Sequence, residues 1–334
     1  MNISQLAERF CRPPPKAMAG LVLLAWCLVL AAGMPVAAGD AGPVLVHFAF
    51  SKSIFTDLNE NDTRAAMKVY TKTIGDENGI DTGTGPVFLD GTNAIASALR
   101  RGQFDLISLT AEDFFKLENQ GLEGPLLLSR VNRAYTEEYV LLARADSNIL
   151  KVEDLKGRRL IILSDVRGSL VPVWLGVLCR SRGLGPPDQF LGRMVLVSKV
   201  TQVVLPVFFG KADACVVTRN GWEIMGELNP QVKKQLRAIA MSPPVVPAVS
   251  CFRRGVPEAT KERVFAAAEG SFTKPSFKQL MALFKTDDLG HQPIALLDGT
   301  RQLMANYHAL CASPNPAGLP ATNISPGLEA GEGK

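Results

Sequence analysis

The sequence predicts an α/β protein of two lobes, each a mainly parallel sheet flanked by helices, with two extended hinge strands between the lobes. Short apolar runs alternate with longer segments of helical periodicity, which is typical of βα units. These units form two clusters, separated by extended crossings near residues 139–144 and 246–252. The chain of 334 residues is also long enough for two domains at about 150 residues each.

The first cluster predicts a βαβαβ unit. Its elements follow the order strand 44–50, helix 63–79, strand 86–90, helix 92–101 and strand 104–109. Gly79 and Gly102 follow the two helical patterns, and glycine is the usual residue where a helix ends in a left-handed conformation. The alternation therefore places parallel strands side by side with helices covering them.

The second cluster repeats this alternation and continues into a helical segment. Its predicted elements are strands 137–144 and 158–164, helix 170–183, strand 194–199, helix 201–210 and strand 212–218. After the second crossing, helical periodicity returns over residues 257–268, 277–284 and 298–310. The two clusters predict two lobes that share two connections.

The N-terminal segment, residues 1–38, is predicted to be a signal peptide. Arg9, Arg12 and Lys16 precede an apolar run at 21–32, and small residues before Gly39 fit a signal peptidase site, so cleavage is expected after Ala38. The alternative is an uncleaved anchor, but spanning a bilayer takes about 20 apolar residues. The mature protein is therefore expected in the periplasm.

The mature chain is divided between the two predicted lobes. Residues 39–144 and 248–311 are assigned to the first lobe, and residues 145–247 to the second. Residues 312–334 are rich in Pro, Gly and Ala without periodicity, which is typical of a disordered tail.

Charge and cysteine content narrow the function classes. The whole chain has 36 basic and 32 acidic residues, and cleavage after Ala38 leaves 33 and 31. This near-balance gives no basis for binding nucleic acid or an anionic membrane surface. The mature chain retains Cys179, Cys215, Cys251 and Cys311. An oxidising compartment permits disulfides between them, while buried free thiols are the alternative.

Common catalytic and metal-binding motifs are absent from the sequence. It contains no G-x-S-x-G, no H-E-x-x-H and no P-loop. His47, His291 and His308 have no spacing that indicates a shared site. We therefore expect a protein that is not an enzyme and that has no cofactor and no metal site.

Several stretches resemble a known family. They are GQFDLISLTAEDFF, DLKGRRLIIL followed by LVP, FFGKADACVV and SPPVVPAVSCFRRGVPE. Together they are similar to the phosphate-, phosphite- and phosphonate-type periplasmic substrate-binding proteins of ABC transporters, over about residues 44–310. The resemblance implies a type II periplasmic-binding fold, hinge closure on a small solute and delivery to an ABC permease or a membrane sensor protein. A monomer is expected.

In the second lobe, the resemblance identifies the loops that would contact the ligand, and their residues differ from the family pattern. Relatives that bind phosphonates have a Ser-Thr-Ser-Gly run where this chain has Asp165-Val166-Arg167-Gly168, followed by Ser169. Asp165 would repel an oxyanion, whereas Arg167 could bind one through two hydrogen bonds. The further candidate ligand residues of this lobe are Lys199, Thr218 and Arg219.

In the first lobe, the resemblance implies ligand contacts after three strands. The candidates are Ser51, Lys52, Phe55, Thr92, Asn93, Ser108 and Thr110, with Tyr139 as a wall of the cleft. Each has a structural alternative, because exposed Lys and Arg are common and a threonine at a helix start is often only a cap.

The sequence thus predicts a receptor for a small anionic or polar solute of the phosphate or phosphonate class, serving an ABC transporter. A ligand-sensing module that signals to a membrane kinase or cyclase is the alternative, and the residues do not separate the two.

Overall fold

The computed structural model describes residues 42–55, 59–270, 274, 277–278, 281 and 286–312. The predicted signal peptide, most of the predicted helix 277–284 and residues 313–334 of the predicted tail lie outside these residues. Within the described ranges, no helix combines the length and the apolar character needed to cross a membrane.

The fold is the predicted two-sheet α/β arrangement. The strands are β1 (Val44–Leu45), β2 (Phe48–Ser51), β3 (Ile80–Asp81), β4 (Val87–Leu89), β5 (Leu106–Thr110), β6 (Leu122–Arg130), β7 (Tyr139–Arg144), β8 (Arg159–Leu163), β9 (Arg193–Val197), β10 (Ala214–Thr218), β11 (Leu236–Met241), β12 (Ala248–Arg253) and β13 (Asp288–Gln292). The α-helices are α1 (Glu60–Asn78), α2 (Gly91–Arg100), α3 (Ala111–Leu117), α4 (Val171–Arg180), α5 (Pro187–Phe190), α6 (Val200–Phe208), α7 (Arg219–Leu228), α8 (Pro230–Gln235), α9 (Glu258–Gly270) and α10 (Asp298–Ala312).

The first sheet has six strands in the order β13-β6-β12-β5-β2-β4. β2 pairs in parallel with β4 and β5, as the βαβαβ pattern predicts. β12 lies antiparallel between β5 and β6, and β13 is antiparallel to β6. Four of the six strands consequently point the same way, and polar residues that follow them meet at one edge.

The second sheet has five strands in the order β11-β7-β10-β8-β9. β8 pairs in parallel with β9 and β10, which are the strands of the predicted βα units. β7 lies antiparallel to β10 and β11, so four of the five strands share one direction. The loops after β8 and β10 therefore leave the sheet at the same edge.

The two sheets are joined by two short crossings that pair with each other. One lies between β6 and β7 and the other between β11 and β12. Glu137 N donates to Val245 O at 2.7 Å, and Val245 N donates to Glu137 O at 2.8 Å. The strands predicted as hinges at 139–144 and 246–252 are the sheet strands that follow these crossings.

Sheet membership differs from the predicted lobe limits in two places. β7, assigned by sequence to the first lobe, pairs only within the second sheet among the strands described. α10, also assigned to the first lobe, buries Leu303, Met304 and Leu310 in the core that contains Trp174 of the second. The sequence shows that such an element is apolar on one face, but the partner of that face depends on tertiary packing.

The predicted βα elements match the structure with small shifts at their ends, and several elements were not predicted. The predicted strand 44–50 is split into β1, which pairs with β3, and β2, which enters the first sheet. The sequence prediction missed β3, β6, β11, β13, α3, α5, α7 and α8. β6 contains glycine and proline, which weaken the pattern of a strand.

Candidate ligand site between the two sheets

The loop after β8 is the part of the second sheet that faces the first. Asp165 caps a short 3-10 turn at Val166–Gly168, and its carboxylate accepts from Gly168 N at 3.0 Å. A Cβ at Gly168 would lie 2.3 Å from the carbonyl oxygen of Leu163, so the turn requires glycine here. In the family pattern, the backbone N–H at this glycine is available to bind an anion. In this chain, the N–H of Gly168 is already bonded to the carboxylate of Asp165.

Arg167 is held in an ion pair by Glu137 of the crossing between β6 and β7. Its Nε donates to Oε1 of Glu137 at 2.6 Å, and its terminal nitrogen also contacts that carboxylate. Both side chains are largely buried, at 17% and 10% exposure. Burial raises the pKa of Glu137, an effect that Arg167 opposes and Asp165 increases. The charge of Arg167 is thus largely balanced by the protein itself.

Tyr139 was predicted to form a wall of the cleft, but it contacts this loop from the interior of the protein. The side chain is fully buried against Trp174, and its hydroxyl donates to the backbone oxygen of Arg167 at 2.8 Å. Burial raises the pKa of Tyr139, so the hydroxyl stays protonated and acts as a donor. Ser169 Oγ, the next predicted ligand group, is directed at Pro247 O at 3.5 Å.

Arg219 and Thr218 follow β10 at the same edge of the sheet. Arg219 pairs with Glu138 at 2.9 Å and with Glu223 at 3.0 Å, and these hydrogen bonds raise its pKa. Thr218 Oγ1 accepts from Gly221 N at 3.1 Å and caps α7. Two consecutive hinge glutamates, Glu137 and Glu138, consequently neutralise the two arginines that the sequence proposed for the ligand.

In the first sheet, the predicted loop after β2 is tied to α3. Ser53 Oγ donates to Asp113 at 2.8 Å, and Ser51 Oγ lies 2.8 Å from Ser53 Oγ. Thr110 Oγ1 accepts from Asp113 N at 3.3 Å as the cap of α3. These three hydroxyl groups therefore hold the loop and the helix start together.

An open, mainly apolar cavity of about 150 Å³ lies against β5, β6 and β12, and Val166 of the turn after β8 also lines it. Its apolar lining includes Phe50, Phe55, Met67, Leu127, Val249 and Met281. Its hydroxyl groups belong to Tyr70, Ser108, Ser129, Ser250 and Thr286. Among the described residues that line this apolar cavity, none carries a charge.

A polar cleft of about 490 Å³ lies beside the apolar cavity. Its polar lining includes Asp165, Arg167, Thr218, Asn220, Lys278 and Asp287. A smaller pocket of about 60 Å³, lined by Glu137, Arg167 and Tyr135 among others, connects the two, since it shares Val166 and Ala248 with the apolar cavity and Arg167 with the polar cleft. A ligand could therefore occupy both parts at once.

The predicted site residues are distributed unevenly over these pockets. Phe55 and Ser108 line the apolar cavity, and Asp165, Arg167 and Thr218 line the polar cleft. Lys52 pairs with Glu60 at 3.1 Å and, with Phe55, lines a separate pocket of about 160 Å³. Several predicted residues belong to none of these pockets: Ser51, Thr92, Asn93, Thr110, Tyr139, Gly168, Ser169, Lys199 and Arg219.

The sequence prediction missed groups that only the fold brings to the site. Ser250 Oγ lies 2.6 Å from Ser108 Oγ, because β12 pairs with β5 in register at these two residues. Glu137 reaches Arg167 across 30 positions of sequence. A polar residue inside the apolar run VVPAVSCF was the available signal for Ser250, whereas no local pattern distinguishes Glu137 from a surface glutamate.

Comparisons with known proteins agree with this fold. The family model for the periplasmic substrate-binding protein of phosphonate ABC transporters matches residues 53–288. The chain belongs to this family, and it is a periplasmic substrate-binding protein of the ABC transporter class. No curated protein matches the sequence.

Solved structures show the same fold at low sequence identity. XAC2383 from Xanthomonas citri, bound to ATP, superposes with a TM-score of 0.55 at 19% identity, covering 80% of this chain and 98% of that one. A binding-protein component of an ABC phosphonate transporter from Pseudomonas aeruginosa gives 0.54 at 17% identity, covering 84% and 91%. PhnD1 from Prochlorococcus marinus, in complex with methylphosphonate, gives 0.52 at 14% identity, covering 80% and 99%.

Proposed function

We propose that this protein is the solute receptor of an ABC importer and that its solute binds between the two sheets, in the polar cleft and the apolar cavity beside it. One observation carries the proposal: Val166 and Arg167, after β8 of the second sheet, share their pockets with Ala248 and Ser129 of the first. Ligands of open α/β sheets bind where the carboxyl ends of parallel strands converge.

The paired crossings are suited to act as a hinge in this function. The Glu137–Val245 pair is a backbone link between the crossings, and Glu137 also lines the small connecting pocket. A solute that contacts both sheets stabilises the closed arrangement by its difference in affinity for the two states. The closed form of a monomer, released into the periplasm by cleavage after Ala38, would then be recognised by the permease.

The polar group of the solute is proposed to face Arg167. This guanidinium is the arginine that lines both the polar cleft and the connecting pocket among the described residues. A hydrogen bond to a charged group contributes about 1.5–3 kcal/mol. Arg167→Ala is therefore expected to weaken binding by at least about tenfold, while Arg193→Ala, on the exposed edge of β9, serves as the matched control.

Ligand binding to the mature protein, which begins at Gly39, tests the proposal. Phosphate, phosphite, methylphosphonate, short organic phosphonates, and neutral and cationic solutes are screened by thermal shift, and hits are measured by calorimetry. A ligand at 100 times its dissociation constant stabilises the folded state by about 2.7 kcal/mol, so a clear rise in Tm is expected. If no solute of this panel shifts the melting temperature, the proposed function is wrong.

A further inference from the structure

We infer that the solute carries a hydrocarbon portion of a few carbon atoms and that this portion occupies the apolar cavity. The inference rests on the proposed function and specifies the ligand class for it. The polar cleft alone would suffice for a small oxyanion, whereas the apolar cavity is a further volume that shares Met281 and Thr286 with it.

The apolar cavity has the size and lining of a hydrocarbon site. Its volume of about 150 Å³ equals that of an engineered apolar cavity able to bind benzene. The rings of Phe50 and Phe55 lie 5.9 Å apart, and both line the cavity together with Met67 and Leu127. An apolar occupant of this cavity gains dispersion contacts with the lining and removes apolar surface from water.

The charges around the cavity exclude an ionic occupant from its interior. Among the described lining residues there is neither a cation nor an anion, and an unpaired buried charge is very costly. Arg167, in the adjacent pocket, is paired with Glu137, and Asp165 adds a further negative charge. An anion therefore gains little from entering the cavity, while an uncharged chain or ring gains from burial.

The polar groups at the edge of the cavity define the orientation of the solute. Ser108 and Ser250 bond to each other at 2.6 Å, which uses one hydroxyl proton and leaves the second for a ligand. Thr286 Oγ1 is already engaged with Arg130 O at 3.0 Å. The hydrocarbon portion thus extends past the serine pair, while the polar end of the solute points through the connecting pocket toward Arg167.

A chain-length series tests this assignment on the wild-type protein. Calorimetry compares methyl-, propyl-, butyl- and phenylphosphonate, with butanol and benzyl alcohol as uncharged compounds that share the hydrocarbon portion. Each buried methylene is worth about 0.8 kcal/mol, which corresponds to about a fourfold gain in affinity. Butylphosphonate is therefore expected to bind about 50-fold more tightly than methylphosphonate, with a more negative heat-capacity change.

A cavity-filling variant provides a second measurement. Ser250→Leu places a larger side chain in the apolar cavity and should abolish the preference for butyl- over methylphosphonate. Ser181→Leu is the matched control, since Ser181 lies at the exposed end of α4. Circular dichroism and the melting temperature establish whether both variants fold. If Ser250→Leu does not fold, the chain-length series on the wild-type protein remains as the test.

The outcomes separate the inference from the proposed function. Equal affinities across the phosphonate series, or tighter binding of methylphosphonate, would overturn the hydrocarbon assignment and leave the receptor function standing. No binding by any compound would contradict both. An increase with chain length in the phosphonates alone identifies an anionic head group, and the same increase in the alcohols identifies an uncharged one; both support the assignment.

Discussion

At the scale of single residues, the candidate site differs from a simple anion-binding loop because its charged side chains pair with one another. Asp165 occupies the N–H of Gly168, Glu137 pairs with Arg167, and Glu138 pairs with Arg219. A buried ion pair contributes little net stability, but loss of one partner leaves an uncompensated buried charge. These pairs therefore govern both the stability of the loop and the charge that a solute meets.

The Arg167–Glu137 pair leads to a prediction about stability. Arg167→Ala should lower the free energy of unfolding by about 3 kcal/mol, because Glu137 stays buried without its partner. The double variant Arg167→Ala/Glu137→Gln should recover part of this loss. Chemical denaturation of the wild type, both single variants and the double variant measures the coupling. Additive effects within about 0.5 kcal/mol would contradict a direct interaction.

The raised pKa of Glu137 leads to a prediction about pH. The folded state binds the proton of Glu137 up to a higher pH than the unfolded chain, whose carboxyl has the usual value of 4.5. The stabilising contribution of this group is therefore complete below that value and is lost as the pH rises through the folded-state pKa.

Comparison with Glu137→Gln isolates this effect from the other carboxyl groups. The free energy of unfolding of the wild type minus that of the variant should fall as the pH rises above 4.5, and then level off. Denaturation curves measured at a series of pH values give this difference. A difference that rises with pH would show that Arg167 outweighs burial at this carboxyl.

At the scale of elements, the turn after β8 depends on one glycine. Gly168→Ala would bring a Cβ to within 2.3 Å of the Leu163 carbonyl oxygen, so the turn must shift. Overpacking of this kind costs about 1–3 kcal/mol and should weaken solute binding as well. Gly270→Ala, where a Cβ meets nothing within 4 Å, is the matched control and should be neutral.

Thermal denaturation and calorimetry of the two glycine variants measure these effects. Equal stabilities and affinities would show that the turn adapts without cost, contrary to the prediction. The elements that carry this turn, β8 and α4, were both predicted from apolar periodicity. The 3-10 turn between them was not, because it is defined by the Asp165 cap and not by any repeat in the sequence.

At the scale of the whole molecule, three of the four described cysteines lie in the packed interior, and none of the four links the lobes. Cys179, Cys215 and Cys251 are buried free thiols, and Cys311 is an exposed one. Burial raises the pKa of Cys179 to about 11 and raises the pKa of Cys215 and Cys251 further. Of the two alternatives that the sequence left open, the structure has the free thiols.

Thiol titration of a chain that starts at Gly39, after the predicted cleavage point, therefore reports on global unfolding. A thiol reagent at neutral pH should modify Cys311 rapidly and the other three only after denaturation, without prior reduction. Cys311→Ser is the control that removes the fast phase. Fewer than four thiols in denaturant would indicate a disulfide, and fast reaction of several would indicate an open core.

The boundaries of the two lobes show which parts of the fold can be predicted from local sequence patterns. Apolar alternation is a local property, so β2, β5, β8 and β10 and the helices between them could be predicted from sequence. β7 and α10 were assigned to the first lobe because they follow or precede its elements along the chain. The surfaces that β7 and α10 pack against are formed by residues far away in sequence. Both elements therefore belong to the second lobe.

The sequence by itself determined the two-lobed α/β fold, the family and which loops are candidates to contact a ligand, because these follow from local periodicity and from motifs along the chain. Only the tertiary structure decided which charges remain for that ligand. Glu137 reaches Arg167, and Ser250 reaches Ser108, across 30 and 142 positions of sequence through the paired crossings and the β5–β12 register. Because electrostatics and cavity shape depend on such distant contacts, the apolar cavity and the neutralised arginines could not be predicted from the residues alone.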